Sequence, residues 1–205
     1  MIAIVEYGVG NVSSIQNMFK KIGIPAIITG DIAEIEKAEK LVLPGVGSFD
    51  SGMRKLVKSM LIDVIIKHAV TDKKPLLGIC LGMQMLGRSS EEGMEKGLNL
   101  IPFENKRFDF QGDKSLKIPH MGWDMATASS VHDPITESLD SKQRYYFVHS
   151  YHAVCDNDDN VLMRCDYGYS FAAAVKKDNI YGVQFHPEKS HRFGMALLDN
   201  FARRV

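Results

Sequence analysis

The chain has 205 residues, 45% of them hydrophobic, and its 25 lysines and arginines are balanced by 25 aspartates and glutamates. This balance excludes an overall electrostatic attraction to nucleic acid or to an anionic membrane, and the apolar stretches are too short to cross a bilayer. The N-terminal MIAIVEYG has neither a basic start nor a cleavable apolar segment, and three cysteines cannot all pair. We therefore expect one domain over residues 1–205, located in the cytoplasm, with reduced thiols.

The first half of the chain alternates short apolar runs with stretches of helical periodicity. An apolar run at 2–5 is followed by Asn11 as a helix cap, and Gly23 ends that helix. Further strands are predicted at 24–29, 40–43 and 75–79, and further helices at 31–38 and 48–70, the last broken near Ser59. Buried strands separated by helices predict a parallel sheet covered on both faces.

The second half has shorter segments with alternation or aromatic enrichment. They predict strands at 98–103, 116–118, 144–151, 161–165, 171–175 and 180–185, with a hairpin turn at 177–179. A closing helix carries Met195, Leu198, Phe201 and Ala202 on one face. The predicted fold is α/β: an open, largely parallel sheet flanked by helices, with antiparallel strands added in the C-terminal half.

The stretch KPLLGICLGMQML, residues 74–86, places Cys80 where a buried strand becomes a helix. Gly78 and Gly82 lack side chains that would collide in a tight turn, so the pattern has the form of a nucleophile elbow. The following helix N-terminus favours the thiolate and leaves the Leu81 N–H free to bond an oxyanion. Most free cysteines are inert packing, and we interpret Cys155 and Cys165 in that way.

A base for this cysteine is predicted far downstream, in YGVQFHPEKS at 181–190. Pro187 is expected to hold the backbone extended, so that His186 and Glu188 project to one side of a strand end. If His186 contacts Cys80 through one ring nitrogen and Glu188 through the other, the three form a nucleophile, a base and an orienting carboxylate. The alternative is a strand end with two solvated polar residues.

The segment LVLPGVGSF, residues 41–49, is a buried strand that ends in a Pro-Gly turn. The turn is expected to place the backbone amides of Gly45, Val46 and Gly47 at the same sheet edge as Cys80, where a second oxyanion donor is required. Alone, Pro-Gly is an ordinary turn.

Two other patterns predict neither a cofactor nor a metal. GVG at 8–10 is half of a dinucleotide-binding fingerprint, but Ser13 occupies the place of the third glycine. His149 and His152 form H-x-x-H, but on an alternating strand they would face opposite sides, and no further ligand completes a zinc site.

The motifs together resemble those of the class I, or triad, glutamine amidotransferases, whose hallmarks are GICLGMQ, a PG-rich oxyanion loop and a late HPE. YGVGN at 7–11, PHMGW at 119–123 and YFVHSY at 146–151 are similar, more narrowly, to glutaminase subunits of imidazole glycerol phosphate synthase. This resemblance implies a flavodoxin-like core. It argues against a cysteine peptidase or a γ-glutamyl hydrolase, which share the elbow and the base.

The resemblance implies hydrolysis of glutamine to glutamate and ammonia through a glutamyl thioester. Cys80 would attack the carboxamide, His186 would protonate the leaving ammonia and Glu188 would orient His186. The oxyanion donors would be the amides of Leu81, Val46 and Gly47. The glutamine contacts would be Gly45, Gln84, Glu92, Ser150 and Tyr151.

Ammonia reacts as a nucleophile only while unprotonated, so its release into water would waste most of it, and a sheltered exit is needed. The family resemblance supplies a (βα)8-barrel cyclase subunit as the partner in a heterodimer. Positions that face this partner would be Asn11, Trp123, Tyr146 and Lys189.

Some residues depart from the family pattern: Glu6 stands where Asp is usual, Asp124 where Asn is common and His191 where Gly often follows HPEKS. They keep open an alternative, a paralogous subunit that supplies ammonia for amination of a cell-surface sugar of the O-antigen type. Val46 stands where many relatives have glycine, and its branched side chain resists a positive φ. We therefore hypothesise an oxyanion hole that is incomplete until the partner and acceptor bind.

Overall fold

The computed structural model describes residues 1–112, 115–129, 133–139 and 143–205. The strands are β1 (Ile2–Val5), β2 (Ala26–Thr29), β3 (Lys40–Gly45), β4 (Leu76–Cys80), β5 (Phe103–Arg107), β6 (His120–Met125), β7 (Thr127–Ala128), β8 (Arg144–His149), β9 (Tyr151–Cys155), β10 (Val161–Tyr167), β11 (Tyr169–Lys177) and β12 (Ile180–Val183). The α-helices are α1 (Val12–Lys21), α2 (Ile32–Lys37), α3 (Phe49–Lys58), α4 (Ile62–Ile66), α5 (Leu81–Met85) and α6 (His191–Arg203).

A parallel run of strands forms the centre of the main sheet, in the order β2, β1, β3, β4, β12. From β12 the sheet continues through antiparallel pairs to β11, β10 and β7, and β9 joins β11 and β5. β6 and β8 form a separate antiparallel pair. This topology confirms the predicted α/β class with antiparallel additions in the C-terminal half.

Alternate residues of the parallel strands pack on opposite faces of the sheet, as buried β-strands covered by helices require. Ala3 and Val5 belong to the cluster formed with α2, α3 and α4, whereas Ile2 and Ile4 belong to the cluster formed with α1 and α6. The core therefore consists of two layers with the sheet between them.

The predicted elements of the first half are present, with small shifts at their ends. Asn11 stands at the start of α1, although its side chain makes no capping hydrogen bond, and Gly23 ends the helix with φ +73°. The predicted helix 48–70 is divided into α3 and α4, and Met60, between them, has φ +59°.

Two predicted strands of the second half are wrong. Residues 98–102 run along α5, where the amide of Leu98 donates to the Met85 carbonyl and that of Leu100 to the Leu86 carbonyl. Residues 116–118 are also irregular, and the Lys117 backbone bonds to the Tyr167 hydroxyl instead of to a strand. Both runs meet their backbone hydrogen-bonding needs outside a ladder, which an apolar pattern does not reveal.

The helices of the described residues are all too short or too polar to span a membrane.

Candidate active site at the carboxyl edge of the central strands

Three neighbouring parallel strands end at one edge of the sheet, and the predicted catalytic residues lie there. Cys80 is the last residue of β4 and is paired in register with Gly45, the last residue of β3. On the other side of β4, Val183 of β12 is paired with Ile79, and His186 follows three residues later. The register therefore brings the PG loop, the cysteine and the histidine together, although they are far apart in sequence.

Cys80 forms a strained elbow between β4 and α5. Its φ of +55° and ψ of −111° lie outside the conformations that non-glycine residues ordinarily adopt. The flanking glycines permit close backbone approach: a Cβ on Gly82 would lie 1.9 Å from the Leu43 carbonyl oxygen, and one on Gly78 would lie 2.7 Å from the Gly82 carbonyl oxygen. The helix behind the elbow has five residues, so its dipole at Cys80 is smaller than that of a longer helix.

His186 and Glu188 form a buried pair, and the side chain of each is 1% exposed. His186 Nδ1 lies 2.8 Å from Glu188 Oε1. The prediction of extended backbone through Pro187 is wrong, because Pro187–Lys189 is a 3₁₀ turn in which the Lys189 amide donates to the His186 carbonyl. Proline fits the first position of such a turn, and the turn brings the carboxylate back to the imidazole.

His186 is held in its charged form. Burial alone lowers its pKa, but the interactions with Cys80 and Glu188 outweigh burial and raise the pKa of His186 to about 10. The other ring nitrogen, Nε2, is buried and has no hydrogen-bond partner of good geometry among the described residues. Cys80 and Glu188 raise the pKa of His186 through hydrogen bonding as well as through charge, and Cys80 contributes more than Glu188 does.

A cavity of about 630 Å³ opens over Cys80 and His186. Among the residues predicted from sequence, it is lined by Asn11, Val46, Gly47, Cys80, Leu81, Gln84, Glu92, Ser150, Tyr151, His186 and Lys189. Gly45, predicted as a glutamine contact, is not among the lining residues: it packs against the start of α5, where a Cβ would be 2.7 Å from the Gly82 nitrogen. The further lining residues Gly10, Pro119, Val148 and His149 were not predicted as site residues.

Two buried glutamines connect the cavity wall to the sulfur. Gln84 Nε2 donates to the Tyr151 carbonyl at 3.2 Å and to Gln184 Oε1 at 3.0 Å. Gln184 Nε2 in turn donates to Cys80 Sγ at 3.8 Å. Sequence reasoning missed Gln184, although its position two residues before His186 on an extended segment places both on one side.

Glu92 and the PG loop contribute to the opposite rim. Glu92 Oε2 accepts the Phe49 backbone N–H at 2.7 Å, which fixes the carboxylate beside the start of α3. In the loop, Gly47 has φ +104°, whereas Val46 is not in the left-handed region and its side chain is 42% exposed. The Tyr7 hydroxyl donates to the Pro44 carbonyl at 2.6 Å and anchors the loop.

Three of the four predicted interface residues, Trp123, Tyr146 and Lys189, form one surface next to the cavity. Lys189 Nζ lies 5.6 Å from the centre of the Tyr146 ring, and the ring centres of Trp123 and Tyr146 are 6.1 Å apart. Trp123 also stacks on His191 at 5.4 Å. Asn11 lies apart from these rings, on the lining of the cavity.

The sequence predicted that His149 and His152 would face opposite sides of a strand, and this prediction is wrong. Ser150 interrupts the strand between β8 and β9, and both imidazoles pack on Phe108, with ring centres 5.2 and 4.8 Å away. Burial lowers the pKa of His149 to about 3 and also lowers that of His152. Within the described part of the chain, no group of three acidic, histidine or cysteine side chains is arranged to hold a metal ion.

The other two cysteines differ from Cys80. Both are free thiols, and burial raises the pKa of Cys155 to about 11 and that of Cys165 to about 12. They remain protonated at neutral pH and are poor nucleophiles.

The chain matches known proteins over nearly its whole length. The family described as glutamine amidotransferase class-I matches residues 3–205. The chain is 54% identical to imidazole glycerol phosphate synthase subunit HisH 2 of Methanococcus maripaludis over the whole of both chains, and 48% identical to the subunit of the same name from Pseudomonas aeruginosa, again over both whole chains. The solved structure of PurLQS from Thermotoga maritima has a similar fold, with a TM-score of 0.73 and 20% identity over 98% of this chain and 96% of that one.

Proposed function

The chain belongs to the class I glutamine amidotransferase family, and from this premise we propose that it is a glutaminase subunit that supplies ammonia for imidazole glycerol phosphate synthesis in histidine biosynthesis. The observation that carries the proposal is the meeting of Cys80 and His186 at one sheet edge, with Glu188 2.8 Å behind the imidazole. A single domain over residues 1–205 and a cytoplasmic location are parts of the same proposal.

In the first half-reaction, the Cys80 thiolate attacks the carboxamide carbon of glutamine and forms a C–S bond. The tetrahedral intermediate collapses as the C–N bond breaks, and imidazolium His186 gives its proton to the leaving nitrogen, so that ammonia and a glutamyl thioester result. Glu188 holds the His186 ring in orientation and stabilises its positive charge. The raised pKa of His186 supports this role, because an acid is needed before ammonia can leave.

In the second half-reaction, neutral His186 takes a proton from water as the water oxygen attacks the thioester carbon. The C–S bond then breaks, glutamate leaves, and the proton restores imidazolium facing the thiolate. Gln184 donates a hydrogen bond to the sulfur in both resting and leaving forms, which its 3.8 Å contact with Sγ supports.

We assign the oxyanion hole to the amide of Leu81 and to an amide of the Val46–Gly47 peptide. Leu81 follows the strained Cys80, and both loop residues line the cavity. The exposed Val46 side chain and its ordinary φ support a loop that completes the hole only when its peptide turns. A glutaminase assay tests this: we expect slow turnover by the isolated chain and fast turnover in the complex, and full turnover by the isolated chain would contradict it.

Glutamine is proposed to lie in the cavity between Gln84, Glu92, Ser150 and Tyr151, with Gly45 allowing the start of α5 to pack closely against β3. Glu92 supplies a fixed negative charge for the substrate ammonium group.

The proposed partner is a (βα)8-barrel cyclase subunit, as in the synthase after which the two subunits compared above are named. It would cover the surface of Trp123, Tyr146 and Lys189, with Asn11 at its inner margin. Exposed apolar side chains continue this surface: Met121 is 61% and Met125 55% exposed. Such a patch is typical of a protein interface.

Ammonia release and acceptor use are the decisive assays. The chain is mixed with glutamine and either the histidine-type cyclase barrel or a barrel from a sugar-amination pathway, and ammonia and cyclised product are measured. We expect stimulation by the histidine-type barrel, because both relatives described above carry that enzyme's name. Stimulation by the sugar-type barrel alone would show that the ammonia goes to the sugar-amination acceptor and not to the histidine-type one. It would leave the glutaminase assignment intact.

A further inference from the structure

A line of hydrogen bonds runs from the protein surface to the wall of the cavity. Asp124 Oδ2 lies 2.7 Å from His120 Nε2, His120 Nδ1 lies 3.1 Å from His149 Nε2, and His149 Nδ1 lies 2.8 Å from the Tyr151 carbonyl oxygen. We call these four groups the histidine line. Its outer end is accessible, since the Asp124 side chain is 41% exposed, whereas that of His120 is 1% exposed.

The inner end of the histidine line meets the residues around the sulfur. The Tyr151 carbonyl accepts from His149 and also from Gln84 Nε2 at 3.2 Å. Gln84 is bonded to Gln184, which donates to Cys80 Sγ. The Tyr151 carbonyl accepts from both His149 and Gln84. A change in its bond to His149 therefore alters the group that orients Gln84 at the cavity.

Counting protons shows that the histidine line is one proton short when both histidines are neutral. Its two ends, a carboxylate and a carbonyl, only accept hydrogen bonds, so its three contacts need three N–H groups. Two neutral imidazoles supply two. All three bonds form together only when the line binds one additional proton, which makes imidazolium at His120 beside the Asp124 carboxylate.

We propose that Asp124, His120 and His149 are positioning residues for the glutamine-facing wall, and that the histidine line fixes the Tyr151 carbonyl fully only when it has taken up one proton from solvent. The proposal rests on the proposed function, because the wall matters as the contact surface for glutamine. Without the additional proton, the negative Asp124 draws the His120 proton to Nε2. One of the three contacts then has no hydrogen to share. In the proposed arrangement, His149 donates from Nε2 to His120 Nδ1, so that its bare Nδ1 faces the Tyr151 oxygen; the competing arrangement keeps His149 Nδ1–H on Tyr151 and loses the longer contact between the two rings.

The groups around His120 determine the pH at which this proton binds. Burial lowers the pKa of His120, and the bond to Asp124 only partly offsets it. The neighbouring titratable groups on the ring side are the His149 imidazole, the Tyr167 ring stacked 4.1 Å from His120, and, beyond His149, His152 and His186. On the surface side, Arg144, Arg164 and Asp166 line the same depression as Asp124, and Cys165 lies close enough to Asp124 for the two to interact electrostatically. The pKa of His120 therefore lies below its ordinary value, and the proton is bound in acid solution and lost as the pH rises.

An amide at position 124 removes the shortage. An asparagine amide N–H can donate to His120 Nε2, after which His120 Nδ1–H donates to His149 and His149 Nδ1–H donates to Tyr151. All three bonds then form with neutral rings. Asp124→Asn should hold the wall in its fixed arrangement at every pH.

The direct test is ¹⁵N NMR of the histidine rings in the full chain, compared between the native protein and D124N. In the native protein, we expect His120 to gain a proton on acidification and His149 to change from the Nε2–H to the Nδ1–H tautomer. In D124N both rings should stay neutral and protonated on Nδ1 throughout. The same tautomers and the same titration in both proteins would overturn the proposal, and so would a native His149 that keeps Nδ1–H at every pH.

Asp166→Asn is the matched control, because Asp166 is an exposed carboxylate in the same surface depression as Asp124 but outside the histidine line. It removes the same charge and should leave the native titration in place. If D166N behaves as D124N does, general electrostatics and not the histidine line sets the tautomers, and the proposal fails.

A kinetic measurement on the complex with the barrel subunit supplies the functional arm. The KM for glutamine of the native protein should rise about threefold to tenfold from acid to mildly alkaline pH, the effect of one hydrogen bond, and that of D124N should rise less. Superimposable KM profiles would overturn the positioning role. If neither protein hydrolyses glutamine, the proposed function fails, and the NMR result still decides whether the histidine line binds its proton.

Discussion

The two sides of the cavity each hold a buried histidine, and one of these is charged while the other is neutral. On the side of the strand ends, Glu188 and Cys80 raise the pKa of His186 to about 10, against the effect of burial. On the side of β8 and β9, His149 packs among aromatic and imidazole rings, no carboxylate of the described residues contributes to its pKa, and burial lowers that pKa to about 3. Both side chains line one cavity, and burial alone would leave both rings neutral; the anionic partners of His186 are what make it charged.

Replacing each of the two histidines by glutamine should give the largest difference in glutaminase turnover between the two sides. His186→Gln should reduce glutaminase turnover about 10⁴-fold or more, because it removes the acid and base of both half-reactions. The matched variant His149→Gln loses one or two hydrogen bonds and should cost less than about 10²-fold. Steady-state kinetics of the complex measures both, and comparable losses would contradict a division between a chemical side and a positioning side.

Glu188→Gln should convert the charged histidine toward the neutral one. Without the carboxylate, the pKa of His186 falls, the ring loses its orienting partner, and turnover should drop about 10³–10⁴-fold. Ring titration by NMR together with kcat gives the two readouts, and Glu95→Gln, at a half-buried glutamate outside the cavity lining, is the control. A variant that keeps its turnover within about tenfold of the native enzyme would show that Glu188 is not the orienting group.

The strand-end side also depends on close backbone packing. Gly82→Ala would place a Cβ 1.9 Å from the Leu43 carbonyl oxygen, so we expect a loss of about 3 kcal/mol or more in the free energy of unfolding. Gly8→Ala is the control: it has positive φ but open space around it, and should cost about 1 kcal/mol. Urea denaturation measures both, and equal losses would mean that the elbow tolerates a shift of the PG loop.

Because of its neutral buried histidines, the folded protein should lose stability in acid. His149 and His68 have folded-state pKa values lowered to about 3 and about 4, below the ordinary 6.5, so between these values the unfolded chain binds protons that the folded chain does not. Stability should therefore fall as the pH drops from about 6.5 toward 4. His68→Leu removes one such group and should reduce this fall by about 1–2 kcal/mol. An unchanged acid slope would show that His68 is charged in the folded protein.

Much of the strand-end side could be predicted from sequence, because its causes are local. Apolar runs, glycines at turns and the pattern around Cys80 are properties of short segments, and parallel strands bring their carboxyl ends to one edge. The predicted residues Cys80, His186 and Gln84 do lie together on the cavity. Their chemical roles remain predictions.

Features on both sides of the cavity that depend on contacts between distant side chains could not be predicted. The 3₁₀ turn at Pro187–Lys189, the break at Ser150 and the shared packing of His149 and His152 on Phe108 follow from tertiary contacts. Strand periodicity placed those two histidines on opposite faces, since it assumes an uninterrupted strand. The bond from Gln184 to the sulfur likewise appears only after β12 is paired beside β4.

The most direct test of the account is covalent labelling with a glutamine-mimicking chloroketone, followed by peptide mass spectrometry of the native protein and of His186→Gln. The account predicts one adduct, on Cys80, formed much more slowly in the variant, with Cys155 and Cys165 unmodified. An adduct on either of the other cysteines, or labelling of Cys80 at the same rate without His186, would contradict the claim that His186 activates Cys80 at this sheet edge.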